Sequence, residues 1–232
     1  MSSTQRVEVA PERLTGWVDR FVASHGEIAW SAEVLRPGPV EPLLAGAPPA
    51  RGTAWRGEAS DGSWVRCQGW GPAQGEWSAT GPWVAPPGAL LVLLVRRGGY
   101  AVAVTTAAGE LLAHKVGTRH VQSRTAAGGW SQQRFARRRA NQADALVDGV
   151  VGHAADILER AESASKGRVA ALVTGGDPGL IGKVVHALAS GPRRRLLGLP
   201  RLELRDVADP RRVVLDRAIE RARAVHVEVF NA

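Results

Sequence analysis

An uninterrupted apolar run, LLVLLV at residues 90–95, constrains the fold more than any other feature of this sequence. It is far shorter than the roughly 18 residues that span a bilayer, and it is typical of a strand. Turns at Arg97-Gly98-Gly99 and Ala108-Gly109 separate it from the strand YAVAVTT and from a longer strand over residues 110–121. This spacing predicts a three-stranded antiparallel meander.

The segment from residue 132 to about residue 165 has its apolar residues on one helical face, which predicts a long amphipathic helix. Those residues are Phe135, Ala143, Leu146, Val147, Val150, Val151, Ala154, Ile157, Leu158 and Ala161.

The C-terminal part alternates strands and helices. The strand VAALVTGG precedes Asp177-Pro178, an N-cap followed by proline at the first helical position. Asp209-Pro210 repeats this pattern and predicts a helix to about Arg223, with further strands at residues 201–205 and at VHVEVF. Residues 87–232 are therefore predicted to form an α/β domain, a mixed β-sheet flanked by helices.

Residues 1–86 hold seven of the eight tryptophans and are predicted to form a separate, irregular, β-leaning region. A helix is expected over residues 14–23, and Asp61-Gly62 predicts a hairpin turn between runs that contain Trp55 and Trp64. Core packing is the favoured role for these tryptophans, and base stacking is the alternative. The prolines of GPWVAPPG, residues 81–88, mark the expected boundary.

The net charge of +8 favours a polyanionic partner, most often nucleic acid. Between Leu111 and Ala143 the chain has no acidic residue and seven basic ones: Lys115, Arg119, Arg124, Arg134, Arg137, Arg138 and Arg139. Cys67 is the only cysteine, so no internal disulfide and no zinc cluster are expected. The first residues lack an apolar leader segment, so we expect a cytosolic protein. No cofactor is expected.

The predicted meander and the long helix are joined by SRTAAGGWSQQRFARRR, residues 123–139. Gly128 and Gly129 let the backbone approach a ligand closely, Trp130 offers a flat apolar face, and Ser131 is suited to cap the helix. Two neutral amides, Gln132 and Gln133, follow at the exit of the loop.

Helical periodicity puts Arg134, Arg137 and Arg138 on the solvated side of this helix. Arginines there oppose the positive end of the helix dipole, at a cost of up to about 1 kcal/mol for each charge in the first turn. A phosphate backbone reverses that sign, so polyanion contact is favoured over the alternative of a merely solvated basic face.

These elements, with the Gly-Gly-Trp-Ser-Gln-Gln loop, the Arg-Phe-Ala-Arg-Arg-Arg helix start and the later Gly-Gly-Asp-Pro-Gly turn, resemble the actinobacterial branch of the VLRF family. Its domains are related to the catalytic middle domain of eukaryotic and archaeal peptide release factors, of RNase H-like α/β fold. The resemblance covers about residues 88–225 and leaves the N-terminal region out.

The resemblance implies hydrolysis of the ester that joins a nascent peptide to tRNA, with peptidyl-tRNA and the large ribosomal subunit as partners. The catalytic loop glutamine of the family corresponds to Gln132, with Gln133 as the second choice. Gly128 and Gly129 correspond to the loop glycines, and RNA contacts are expected from Arg124, Arg134, Arg137, Arg138 and Trp130.

Other readings of single motifs are weaker. Gly129 to Gln133 lacks the last glycine of a Gly-x-Ser-x-Gly elbow, and the turn at Gly176-Asp177 lacks Walker spacing. His114 and His120 are expected to be structural, and Arg193-Arg194-Arg195 is expected to be a solvated loop or a secondary RNA contact. A ribosome- or RNA-binding protein without turnover remains the alternative to an enzyme.

Overall fold

The structure is a computed structural model that describes residues 4–35, 52–118, 131–165 and 167–232, with the backbone alone over residues 131–140. In this part of the chain, helices and strands are numbered in chain order. The helices are α1 (Leu14–His25), α2 (Ser131–Ser165), α3 (Pro178–Leu188) and α4 (Arg212–Arg223). The strands are β1 (Thr4–Val9), β2 (Ile28–Val34), β3 (Thr53–Ala59), β4 (Trp64–Gln68), β5 (Leu90–Arg96), β6 (Gly99–Thr105), β7 (Leu111–Thr118), β8 (Ala171–Gly176), β9 (Arg201–Leu204) and β10 (Val225–Phe230).

The fold is α/β, as the sequence predicts, and it has two five-stranded sheets with flanking helices. The first sheet is antiparallel throughout, in the order β1-β10-β4-β3-β2. The second sheet is mixed, in the order β7-β6-β5-β8-β9. Its strands β5, β6 and β7 form the predicted antiparallel meander, and β8 and β9 run parallel to β5. The third strand ends at Thr118, and residues 119–121 of its predicted range lie outside the described residues.

The run at residues 90–95 forms the central strand of the second sheet and is fully buried. Its side chains point alternately to two cores, one beneath α2 and α3 and the other beneath α4. The first core takes Leu91, Leu93 and Val95, and the second takes Leu90, Val92 and Leu94. A strand covered on both faces has no solvated side, which explains why it is apolar at every position.

Helix α2 confirms the predicted long amphipathic helix and begins at Ser131, so Ser131 is itself helical. Its core residues are Leu146, Val147, Val150, Ala154, Ile157, Leu158 and Ala161, all of them predicted from the spacing. Its 35 residues correspond to a length of about 52 Å at 1.5 Å per residue. The first described side chain of α2 that packs against the core is Ala143, twelve positions after the helix begins.

Two glycines, Gly149 and Gly152, lie on the exposed side of α2, and a Cβ added to either would meet no atom within 4 Å. Glycine inside a helix costs about 1 kcal/mol relative to alanine. We therefore expect the double variant Gly149→Ala/Gly152→Ala to be about 1–2 kcal/mol more stable than the wild type, as measured by urea denaturation. Unchanged or lower stability would mean that another part of the protein needs the space above these glycines.

The first sheet contains the predicted hairpin, because β3 and β4 pair around the Asp61-Gly62 turn, where Gly62 has φ +88°. Its inner face packs against α1. The predicted final strand, β10, joins this sheet between β1 and β4, so the end of the chain pairs with its N-terminal region. Cys67 faces β10 from β4 and is fully buried, which raises the pKa of its thiol and leaves the side chain unreactive.

The tryptophans of the N-terminal region pack mainly as core residues, as expected. Trp55, Trp70 and Trp83 are buried. Trp77 connects several of the others, because its ring lies 3.5 Å from Trp30 and 5.2 Å from Trp83 between centroids. Trp64 is on the outer face, stacked on Phe230.

The two Asp-Pro pairs have different outcomes. Asp177 is an N-cap, since its carboxylate accepts a hydrogen bond from the Leu180 N–H at 3.2 Å. The prediction for Asp209 is wrong, because α4 begins at Arg212 and its N-cap is Arg211. The chain is still extended at Arg211, and the Asp209 carboxylate lies 3.4 Å from Arg96 Nε.

Candidate functional site

The candidate site lies at the edge of the second sheet where β5, β8 and β9 have their carboxyl ends. Strand β7 also ends here, since Thr118 is opposite Gly99 at the start of β6. Helix α2 packs back across the sheet from this edge. Its Asp144 contacts Lys183 of α3 at 2.8 Å, and the chain after α2 reaches the opposite edge, where the Ala170 N–H donates to Ala89 O. Thr118, the last described residue before α2, therefore lies at the edge where α/β sheets most often bind ligands.

The predicted site residues divide into two groups. Arg124, Gly128, Gly129 and Trp130 lie outside the described residues. The others belong to the first turns of α2, namely Gln132, Gln133, Arg134, Arg137 and Arg138. The structure describes their helical backbone, so their side-chain contacts stay predictions.

The described part of α2 shows which positions of this helix are exposed and which face the core. Two residues that are 11 or 14 positions apart in a helix lie on nearly the same side of it, because these spacings are close to three and four turns. For Arg134 these positions are Ala145 and Asp148, and for Arg138 they are Gly149 and Gly152, all of them exposed. For Gln132 they are Ala143 and Leu146, which face the core. The described part of α2 thus has an exposed face and a core-facing face, and the directions of the side chains at residues 131–140 stay predictions.

A cleft of about 500 Å³ lies at the same edge. Arg96 and Arg97 contribute to it from the turn after β5, and Asp177, Asp206 and Asp209 contribute from the ends of β8 and β9. Arg96 is held by the 2.6 Å hydrogen bond from its Nη1 to Val207 O, and Arg97 Nε lies 3.9 Å from Asp177. With three carboxylates and two guanidinium groups, this cleft is not a polyanion site by itself.

Backbone geometry holds the cleft in shape. Gly176 has φ +115°, and a Cβ there would lie 2.2 Å from Val95 O, so the turn after β8 requires glycine. The Asp177 N–H donates to the same carbonyl oxygen at 2.8 Å. Asp206 also has a positive φ, +57°. Sequence analysis did not single out Arg96, Arg97 or Asp206 as site residues. The feature that could have identified Arg96 and Arg97 is their position at the end of the buried strand β5.

The residues weighed as alternatives have structural contacts. His114 Nε2 lies 2.9 Å from Arg212 Nη1. Arg195 is not a free solvated side chain, because it donates to Val169 O at 3.0 Å and pairs with Glu162 of α2. His120 lies outside the described residues. Among the described residues, no group of His, Cys, Asp or Glu is arranged to hold a metal ion, and no helix has the length and apolar character to cross a membrane.

A comparison with models of protein families identifies the family of this chain. The model of the Actinobacteria/chloroflexi VLRF1 release factor family matches residues 88–228, more than half of the chain. The chain belongs to this family. The VLRF1 match begins just before β5, includes the whole second sheet with α2, α3 and α4, and ends within β10. A search of curated proteins finds none that matches the chain.

Membership of the VLRF1 family gives the protein a release-factor-like role in translation and an interaction with the ribosome in general terms. The match includes the Gly-Gly-Trp-Ser-Gln-Gln segment, whose last three residues are the first three of α2. Strands β1 to β4 and helix α1 lie outside it.

Proposed function

We propose that this VLRF1 protein is a peptidyl-tRNA hydrolase that releases nascent peptides from stalled ribosomes, with Gln132 positioning the attacking water. The observation that carries the proposal is the match of a release-factor family model to a chain whose edge strand and longest helix are joined by Gly-Gly-Trp-Ser-Gln-Gln. On this proposal the protein works in the cytoplasm, where translation takes place.

The chemistry of an amide suits this reaction. Glutamine has no accessible pKa, so it does not act as a general base, but its carboxamide orients water. The first N–H groups of α2 have no acceptor within the helix and are available to stabilise negative charge that develops on the reacting carbonyl. An ester has an alkoxide leaving group, and the tRNA hydroxyl next to the bond is available to relay the proton.

The test uses purified full-length protein and peptidyl-tRNA, offered free and on stalled ribosomes. The proposal expects peptide release in at least one of these settings without added metal or nucleotide. Ribosome or RNA binding without release in either setting would overturn the enzyme and leave the alternative, a non-catalytic ribosome- or RNA-binding protein that uses the same basic face.

The basic face of α2 is proposed to bind RNA phosphates through Arg134, Arg137 and Arg138. Replacing Arg137 and Arg138 by glutamine is expected to reduce the steepness of log K against log salt concentration by about 2, where K is the association constant for tRNA. The reason is that each lost phosphate contact leaves about one more counterion on the RNA when the protein binds. The measurement is tRNA affinity by fluorescence anisotropy over a range of KCl concentrations. An unchanged slope would contradict the phosphate role.

A further inference from the structure

A second cleft, of about 630 Å³, lies between α1 and α4, outside the edge described above. Arg13, Trp17 and Arg20 line it from the N-terminal region, and Arg217 and Arg221 line it from α4. We call it the α1–α4 cleft. One wall lies outside the VLRF1 match and the other within it, so the N-terminal region completes a surface that the matched domain lacks alone.

The arginines of the α1–α4 cleft differ in how their charges are compensated. Arg221 is paired with Glu8 at 3.3 Å, and its neighbour Arg223 is paired with Glu12. Within the described ranges, Arg13, Arg20 and Arg217 make no ion pair. Two carboxylates also line the cleft, Glu8 and Glu220, which leaves a net formal charge of +2.

With three guanidinium groups that make no described ion pair and two lining carboxylates, the cleft has an excess of positive charge. It suits a ligand with several negative charges, spaced along a chain. Arginine forms bidentate hydrogen bonds with phosphate. Trp17 stacks on Phe21 with one face of its ring and is partly exposed, so it also adds an aromatic side chain of the kind on which nucleotide bases stack. Because arginine also pairs in this way with carboxylates, it is the indole that favours RNA over an acidic protein segment.

The position of the cleft determines how far an RNA must extend to contact both it and the start of α2. The segment before α4 lies at the carboxyl edge, where Asp209 pairs with Arg96. The end of α4 lies at the opposite edge, because Arg223 Nε donates to Ala107 O in the turn between β6 and β7. The cleft is lined by the second half of α4, so it lies away from the start of α2. An RNA that contacts both surfaces must therefore extend across the domain.

We propose that the α1–α4 cleft is a second RNA-binding surface, which holds the sugar–phosphate backbone of a structured RNA through Arg13, Arg20 and Arg217. It binds the part of that RNA that lies away from the carboxyl edge. The inference concerns binding and does not depend on peptide release.

The test compares Arg20→Gln/Arg217→Gln with a control of equal charge change, Arg160→Gln/Arg168→Gln, whose arginines are exposed elsewhere and unpaired within the described ranges. Affinities for deacylated tRNA and for isolated large ribosomal subunits are measured against KCl concentration. The cleft variant is expected to bind about tenfold more weakly near 0.1 M salt, with a slope lowered by about 2, whereas the control stays close to wild type. Arg20→Lys/Arg217→Lys is expected to restore most of the slope.

Two results would overturn the inference. One is a cleft variant that binds both probes as tightly as the control does. The other is polyglutamate of matched charge that binds wild-type protein as tightly as tRNA and loses affinity in the cleft variant, which would make the cleft a general anion surface. Peptide release is assayed separately. A cleft that binds RNA in a protein without release refutes only the proposed hydrolase, and release with an inert cleft refutes only this inference.

Discussion

Replacing Gln132 by alanine is expected to lower the single-turnover rate of peptide release by about 10²–10³-fold, with tRNA affinity almost unchanged. The variant keeps the arginines that are proposed to bind phosphates and removes the carboxamide that positions water. A loss of this size corresponds to about 3–4 kcal/mol, the usual effect of removing one hydrogen-bonding group that acts on the transition state.

Two further glutamine variants make this result specific. Gln142→Ala removes the same side chain from α2 ten residues later and should release peptide at the wild-type rate. Gln133→Ala tests which of the two adjacent glutamines is the catalytic one. If Gln133→Ala alone abolishes release, the catalytic glutamine is Gln133. If both single variants keep wild-type rates, a carboxamide at the start of α2 is not part of the mechanism.

The second large effect concerns stability, and we expect Trp70→Ala to lower the free energy of unfolding by about 3–5 kcal/mol. Trp70 follows β4 in the N-terminal region but is buried in the core beneath α4. Its indole Nε1 donates a hydrogen bond to Ala222 O at 2.6 Å. The substitution leaves a cavity between the two parts of the protein, and urea denaturation measures the cost.

Trp64→Ala is the matched control, because Trp64 stacks on Phe230 at the outer face of the first sheet rather than in a core cluster. Its cost should be clearly smaller, and Trp70→Phe should fall between the two alanine variants. A Trp70→Ala protein within about 1 kcal/mol of wild type would contradict the view that this indole connects the N-terminal region to the α4 core.

Local signals predicted most of the second sheet. The apolar run of β5, the turns on either side of β6 and the spacing of apolar residues in α2 are patterns of residues close together in the chain. They can therefore be recognised in a single sequence. The pairing of β10 with β1 and β4 was not predictable in this way. Val227 faces Cys67 across 160 positions of the chain, and alternation in a strand does not identify its partner.

The same distinction applies to single residues. Asp177 and Asp209 have the same local pattern, yet only Asp177 caps a helix, since α4 begins three residues after Asp209. The α1–α4 cleft was also hidden from sequence analysis, since Arg20 and Arg217 come together only in the fold. The role of Gln132 rests on amide chemistry and on the VLRF1 family, and it stays a prediction.

Peptide release in H₂¹⁸O, followed by mass spectrometry of both products, tests the central proposal most directly. Hydrolysis of the ester through attack on the acyl carbon predicts one ¹⁸O atom in the C-terminal carboxylate of the peptide and a tRNA that keeps its terminal adenosine and is ready to be charged again. A peptide released with nucleotides still attached, or a tRNA shortened at its 3′ end, would contradict ester hydrolysis by this protein.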